Sequence, residues 1–338
     1  MKDIQKTAET LLQPSEALVQ DMSRLQGDIL ILGAGGKIGP SLAILAKRAI
    51  DLSGVPRRVT GVSRFSEAGL RNRLNHHGIE TIAADLLDDA ALQALPPAEN
   101  VLYLAGTKFG TTGKEPFTWV MNTYLPGRVA EKYRGANMVV YSTGNVYPFT
   151  PVLSGGADEH TMPAPVGEYG QSCLGRERIF QYFSERYESP LVIYRLNYAN
   201  DLRYGVLVEI AKAVRSGEPL DLSMGHVNVI WQGDANEMTL RALHHGSVPA
   251  RILNITGPET VPVRWIAHEF GKIMGTSPVL TGEELPQALL SNAAESFRLF
   301  GYPRVSLKQM IQLTADWLLQ GGQTIQKPTH FQEREGQF

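Results

Sequence analysis

Gly27-Asp28-Ile29-Leu30-Ile31-Leu32-Gly33-Ala34-Gly35-Gly36-Lys37-Ile38-Gly39-Pro40-Ser41-Leu42-Ala43 is the stretch on which the fold turns. Ile29 to Leu32 is a short continuous apolar run of the kind a strand buried on both faces requires. Glycines follow at 33, 35, 36 and 39, and Leu42, Ala43, Leu45 and Ala46 then recur with helical spacing, so a helix is predicted from about Ile38 to Ile50. Glycines let the backbone turn tightly and approach a phosphate closely, and the N–H groups at the helix start offer partial positive charge to an anion. A tight turn alone needs glycine too. The strand before and the helix after are what favour a dinucleotide pyrophosphate, with Gly33, Gly35, Gly36, Lys37, Ile38 and Gly39 as its contacts.

Working outward, short runs rich in Val, Ile, Leu and Tyr alternate with longer stretches of helical period. Strands are expected at Asp28–Leu32, Arg58–Ser63, Glu80–Ala84, Val101–Ala105, Met138–Ser142 and Leu191–Leu196, with helices filling most gaps. A helix at Pro116–Tyr133 should be bent by Pro126. Such alternation predicts an α/β fold, a doubly wound parallel sheet of the Rossmann type. Beyond Arg195 the alternation loosens into helical pieces and a strand-like Ile252–Thr256, which suggests a smaller carboxyl-terminal substrate lobe. The chain therefore divides into an amino-terminal extension (1–26), a dinucleotide-binding core (27–196), a lobe (197–320) with excursions back to the core, and a loose polar tail (321–338). In the extension, Leu11, Leu12, Ala17, Leu18 and Met22 can line one face of a short helix.

Composition narrows the partners. The hydrophobic share of 43% and charged share of 20% belong to an ordinary globular protein, and the 338 residues can bury a large core. A formal net charge of -2 provides no field to attract nucleic acid or an anionic membrane. The single cysteine, Cys173, excludes an internal disulfide and fits a reducing compartment. With no apolar run of membrane-spanning length and no apolar signal core, a cytoplasmic protein is expected. The pairs His76-His77 and His244-His245 are adjacent, so their side chains do not converge as a metal site would need, and no metal is expected.

At the end of the second strand, Gly61-Val62-Ser63-Arg64 lacks the acidic residue that would accept hydrogen bonds from a ribose 2′-hydroxyl. Ser63 and Arg64 can instead hold a 2′-phosphate, for which guanidinium offers two parallel donors, so NADP is expected ahead of NAD. A solvated loop arginine is the alternative.

Several spaced segments together resemble the extended short-chain dehydrogenase/reductase family, the group containing nucleotide-sugar epimerases and dehydratases, over about Gly27 to Leu319. They are Gly33/Gly36/Gly39, Ala84-Asp85-Leu86, Tyr103-Leu104-Ala105-Gly106-Thr107-Lys108, Asn122, Val139 through Tyr147, Tyr169-Gly170-Gln171-Ser172 and Arg195-Leu196-Asn197-Tyr198. The resemblance implies that Asp85 and Leu86 contact the adenine and that Leu104, Ala105 and Gly106 pass beneath the cofactor. It places Lys108 near the cofactor phosphates and Asn122 in the following helix. It also implies Thr143 and Tyr169 as catalytic hydroxyls, Asn145 and Asn197 beside a carbohydrate-like substrate, and a homodimer formed through the helices at Pro116–Tyr133 and Tyr169–Glu188.

One position departs from the pattern. Four residues after the tyrosine, where the family has lysine, stands Cys173. An ammonium a few ångströms away is worth a few kcal/mol at an effective dielectric near 20, enough to move a tyrosine by roughly two pH units. Without it, Tyr169 at an ordinary value near 10 is ionised to about one part in a thousand at neutral pH. Lys108 or Arg176 are the other cations that could act in its place. Cys173 itself, on a helix with no histidine partner, reads as a small apolar residue rather than a nucleophile. Two functions follow: an NADP-dependent oxidoreductase or epimerase acting on a sugar, sugar acid or nucleotide-sugar, and, as the alternative, a catalytically weak NAD(P)-binding sensor or interaction protein.

Overall fold

The computed structural model describes residues 2–108, 112–325 and 327–337. The run Ile29–Leu32 is strand β1, buried throughout, and it lies in the interior of a parallel sheet of seven strands. The other strands are β2 (Val59–Ser63), β3 (Glu80–Ala83), β4 (Asn100–Tyr103), β5 (Asn137–Thr143), β6 (Leu191–Leu196) and β7 (Arg251–Ile255). Their order is β7-β6-β5-β4-β1-β2-β3, all parallel. The direction of winding reverses between β1 and β4, so a crevice opens there at the carboxyl ends of the strands. Leu32 is paired with Val62 on one side and with Tyr103 on the other, which brings the ends of β1, β2 and β4 level.

Both faces of the sheet are covered. Helices α1 (Gly39–Ser53) and α2 (Gln232–Ala242) bring Leu42, Leu45, Ala46, Met238 and Leu240 against Ile29 and Ile31. Leu30 and Leu32, pointing the other way, pack with Leu125, Val129 and Phe180. Each such aliphatic side chain, fully removed from water, contributes about 1.5–3 kcal/mol toward folding. The Pro116–Tyr133 stretch is interrupted as expected, but before the proline. A helix at Glu115–Trp119 widens into a π-helical turn at Val120–Tyr124 and resumes at Leu125–Lys132. Pro126 has no N–H to give the carbonyl one turn back, and the wide turn absorbs that gap.

A second apolar cluster forms the lobe, where α3 (Val206–Ser216), α4 (Val263–Met274) and α5 (Leu307–Leu319) pack through Leu207, Ile210, Phe270, Met310 and Trp317. Trp231 belongs to this cluster as well. The amino-terminal extension forms helices Lys2–Leu11 and Glu16–Arg24. Ser15 caps the second and donates to Glu237, 2.5 Å away on α2. Leu18 and Met22 are fully buried beside α1, and Ile4 lies in the lobe cluster, so the extension is part of the packed body.

The expectation of a loose tail is corrected. Phe331 is buried in the lobe cluster, and Thr329 is buried with its backbone N–H and hydroxyl both donating to Glu209. Arg334 donates to the carbonyl oxygens of Ser223 and Gln287 at 3.2 and 3.0 Å. Among the described residues no helix is long and apolar enough to cross a membrane.

Candidate functional site

At the carboxyl ends of β1, β4 and β5 lies a cavity of about 400 Å³. A shallower hollow of about 600 Å³ sits beside Asn100, Asn137 and Pro190, where β4, β5 and β6 begin, away from the switch in winding. The first is the candidate site, because it gathers glycine loop, hydroxyls and cations.

The loop owes its shape to two glycines. Gly33 has φ +96°, and a Cβ there would lie 2.8 Å from the Ala105 nitrogen. A Cβ on Gly39 would lie 2.5 Å from the Ala34 carbonyl oxygen, so only glycine lets α1 start this close beneath the loop. Pro40 opens α1 and no side chain caps it, so its first amides are not claimed locally. A dinucleotide fits these features: a cradle without Cβ atoms at a helix start, and Ser63 at the end of β2 so near that a Cβ on Gly35 would meet its hydroxyl at 2.5 Å.

The opposite wall carries the hydroxyls. Thr143 ends β5, and its Oγ1 donates to Asn145 Oδ1 at 3.0 Å while accepting from the Asn145 N–H at 3.2 Å. Tyr169 stands in the first turn of α6 (Gly167–Tyr187) and lines the same cavity as Thr143. Burial pushes the Tyr169 hydroxyl well above the ordinary tyrosine value. The neighbouring Cys173 thiol adds to this, and the Arg176 guanidinium and Thr143 offset it only in part. Tyr169 is thus held further from ionisation than an ordinary tyrosine. Cys173 is fully buried among Val146, Tyr147 and Ala157.

Two cations stand near Tyr169. Lys108 Nζ is 5.7 Å from its ring centroid, and burial pushes this lysine down to about 8. Arg176, one turn beyond Cys173, lies on the cavity wall. Its Nη1 donates to the Tyr141 carbonyl at 2.9 Å and its Nη2 to Asn122 Oδ1 at 2.6 Å. Asn122 in turn accepts from the Thr107 N–H at 2.9 Å and donates to Ser172 Oγ at 3.0 Å. Behind this wall Glu177 receives Ser142 Oγ at 2.5 Å and Arg195 at 2.6 and 2.9 Å, all of them buried.

Of the residues singled out in the sequence, Gly33, Gly36, Lys37, Ile38, Gly39, Leu104, Gly106, Lys108, Thr143, Asn145, Tyr169 and Asn197 line this one cavity. Asn197 directs its amide to Asn228 Oδ1 at 3.1 Å, which ties the end of β6 to the lobe. Asn122 and the buried Ala105 stand behind the wall rather than on it. Gly35, Ser63 and Arg64 lie outside the cavity at the ends of β1 and β2, with Arg64 exposed. Asp85 is exposed, its carboxylate accepting from the Leu87 N–H at 3.0 Å, and Leu86 is buried beside Val62. Sequence reasoning missed Tyr204, Lys327 and Thr329, which complete the cavity from the lobe and the tail. Lys37 Nζ lies 3.3 Å over the Tyr204 ring, and burial together with the charges of Lys108 and Lys327 pushes Lys37 down to about 7. Glu168, next to Tyr169 on α6, accepts from the Trp119 indole.

No family model matches the sequence, and no curated protein matches it. Solved structures do resemble it. A UDP-glucose 4-epimerase with UDP-glucose from Thermotoga maritima superposes with a TM-score of 0.72 at 18% identity, over 87% of this chain and 99% of that one. A UDP-glucuronic acid 4-epimerase from Bacillus cereus in complex with NAD gives 0.70 at 21%, over 87% and 99%. An epimerase from Methanothermobacter thermautotrophicus gives 0.71 at 17%, over 91% and 97%. At these identities the likeness is one of fold: the chain is a Rossmann-type α/β protein built like these epimerases over most of its length.

Proposed function

We propose that the chain is a dinucleotide-dependent enzyme of the extended short-chain dehydrogenase/reductase type, acting on a nucleotide-linked sugar in an epimerase-like or oxidoreductase reaction. One observation carries the reading: the hydroxyl residues Thr143 and Tyr169 line the same cavity as the Gly33–Gly39 loop. The solved neighbours described with UDP-sugars or NAD support the substrate and cofactor class. The lobe 197–320 is assigned to the sugar, and the core 27–196 to the dinucleotide.

In this reading the loop amides and the first turn of α1 take the pyrophosphate, while Leu104, Ala105 and Gly106 pass beneath the cofactor. Ser63, Arg64, Asp85 and Leu86, at the ends of β2 and β3, would hold the adenosine half. A bound dinucleotide would supply hydride exchange with a sugar carbon. Thr143 and Tyr169 hold the hydroxyl of that carbon, and Tyr169 takes or returns its proton. Arg176 and Lys108 are the cations near enough to favour the tyrosinate. Ser63 and Arg64 offer donors to a 2′-phosphate and support NADP, whereas the neighbours described with a cofactor carry NAD.

Titration with NAD, NADP and UDP-sugars tests the reading, followed by turnover on wild type, Tyr169→Phe and Thr143→Ala. Saturable dinucleotide binding and a loss of about a hundredfold or more in Tyr169→Phe are expected. Absence of any dinucleotide binding sinks it. Arg64→Ala weakens NADP and spares NAD; an unchanged ratio removes Arg64 from the site. The second reading, a binding protein with weak chemistry, is favoured by the upward push on Tyr169 and by Cys173. It becomes the better one if wild type binds cofactor silently while Cys173→Lys gains turnover. A homodimer is part of the proposal, because Phe117, Val120, Tyr124 and Tyr182 leave an aromatic-rich face exposed on the two helical segments concerned. Light scattering that shows a monomer at working concentrations contradicts that part.

A further inference from the structure

The segment after α5 carries no recognisable motif, yet it crosses the molecule from the lobe to the helix that bears Tyr169. Ile325 N–H donates to the Arg203 carbonyl at 2.8 Å. Thr329 gives its backbone N–H and its hydroxyl to Glu209 on α3, and it lines the cavity. Phe331 is buried in the lobe cluster, its carbonyl accepting from the Tyr198 hydroxyl at 3.3 Å. Arg334 donates to the Gln287 carbonyl at 3.0 Å and holds its guanidinium 4.3 Å from the Phe149 ring centroid. Gly336 ends the crossing against Gly167, the first residue of α6. A Cβ on Gly336 would lie 2.5 Å from the Gly167 Cα, and one on Gly167 would collide with the Gly336 carbonyl oxygen. With φ +73° at Gly167 and +79° at Gly336, backbone meets backbone where only glycine fits.

Residues 327–337 contain no helix or strand. Lys327, Phe331, Glu333 and Glu335 give their backbone N–H groups to acceptors in the segment itself or just before it, so much of its backbone stays satisfied when it lifts. The bonds that must break are few. Foremost is the Glu209–Thr329 pair, in which one carboxylate receives two donors. A segment held in this way opens at lower free energy than a sheet whose strands share ladders. The turn it touches is the one that positions Tyr169. Val166 gives α6 no side-chain cap, and Glu168 in that turn is bonded to the Trp119 indole, so contacts from outside the helix fix where it starts.

We propose that residues 327–337 form a strap that opens to admit ligand to the cavity and, on closing, seats the first turn of α6 and with it Tyr169. Thr329 with Glu209 is the latch, and Gly336 with Gly167 is the seat. The inference rests on the reading of the cavity as a nucleotide-sugar site and deepens it. One end of the strap lines the cavity and the other touches the turn of Tyr169, so a ligand that favours the closed strap also favours the seated turn.

Hydrogen exchange of the full chain, read by mass spectrometry, tests this on wild type, Thr329→Val, Thr329→Ser and Gly336→Ala, each empty and with UDP-glucose and NAD. Three regions are compared: the strap, the amides of 170–173 that bond back to the first turn of α6, and β5 as the fixed body. In the empty wild type the strap exchanges about a hundredfold or more faster than β5. Thr329→Val removes the latch hydroxyl and speeds exchange in the strap and at 170–173 together, by about threefold to tenfold, and Thr329→Ser restores both. Gly336→Ala loosens 170–173 and leaves β5 unchanged. Bound UDP-glucose slows both regions in wild type. A strap that exchanges no faster than β5 is part of a fixed wall, and that result overturns the inference. So does a Thr329→Val strap that is freed without any change at 170–173, or bound UDP-glucose that leaves the strap as in the empty protein. If calorimetry shows no binding of UDP-glucose or NAD, the proposed function fails, while the comparisons in the empty protein still decide the strap.

Discussion

The two sides of the cavity are held by different physics. On the sheet side, Thr143 and Tyr169 are backed by a closed polar network in which Glu177 receives Ser142 and both nitrogens of the Arg195 fork, and Arg195 Nη1 donates to Tyr147 at 2.6 Å. On the tail side, Lys327 is exposed and its segment is fastened at a few points, chiefly Thr329, Phe331 and Arg334. A charge network excluded from water fixes geometry and is expensive to break. A strap with scattered anchors can open at lower free energy than the body it crosses. The sheet side thus suits groups that must be preorganised, and the tail side suits groups that must yield when a ligand enters.

The largest expected effect tests the first half of that contrast. Glu177→Ala leaves the Arg195 guanidinium buried without its counter-charge and should cost about 3–5 kcal/mol of global stability. Glu177→Gln, which keeps hydrogen-bonding atoms of the same shape, should cost less. Urea unfolding of the two variants measures it. A loss in Glu177→Ala within about 1 kcal/mol of wild type would mean that the network is dispensable and that the two sides do not differ as described.

How much of this was legible beforehand follows the same division. Ile29–Leu32 with its glycines announces the sheet wall because strand, turn and helix are contiguous and each is specified by near neighbours. Thr143 and Tyr169 were reachable through the resemblance, because the segments that carry it, Val139 through Tyr147 and Tyr169 through Ser172, are each contiguous in the chain. The tail escaped, since Lys327, Thr329 and Phe331 carry no periodicity, and Phe331 is buried by lobe residues distant in sequence such as Leu207 and Phe270. Tyr204 escaped likewise, because what marks it is the Lys37 ammonium brought over its ring from the far side of the cavity. The direction of the Tyr169 shift was also out of reach. Its neighbours Cys173 and Arg176 are visible on the helix, but the burial that outweighs the guanidinium is a property of the folded whole.

The last prediction turns the lysines into a measurable sign. Lys37 sits at about 7 and Lys108 at about 8, against an ordinary lysine value of 10.5. For the empty protein the unfolded chain therefore holds more protons than the folded one between about pH 7 and 10.5, and these groups add stability as pH rises through that window. Ligand binding runs the other way. A diphosphate favours the protonated lysines, so below about pH 7 binding needs no proton, whereas above it one proton, and above about 8 a second, must be taken up. Pyrophosphate affinity should then fall with rising pH, by up to about tenfold per unit for each proton taken up, while the melting temperature of the empty protein moves the opposite way relative to Lys37→Met. Glu209 and Asp201, the acids acting on Lys37, are already engaged by Thr329 and by the amides of Arg203 and Tyr204. Calorimetry at pH 8 in buffers of different ionisation enthalpy reads the proton uptake directly. An uptake of zero at that pH, with affinity flat from pH 7 to 9, would show that Lys37 and Lys108 do not meet the ligand.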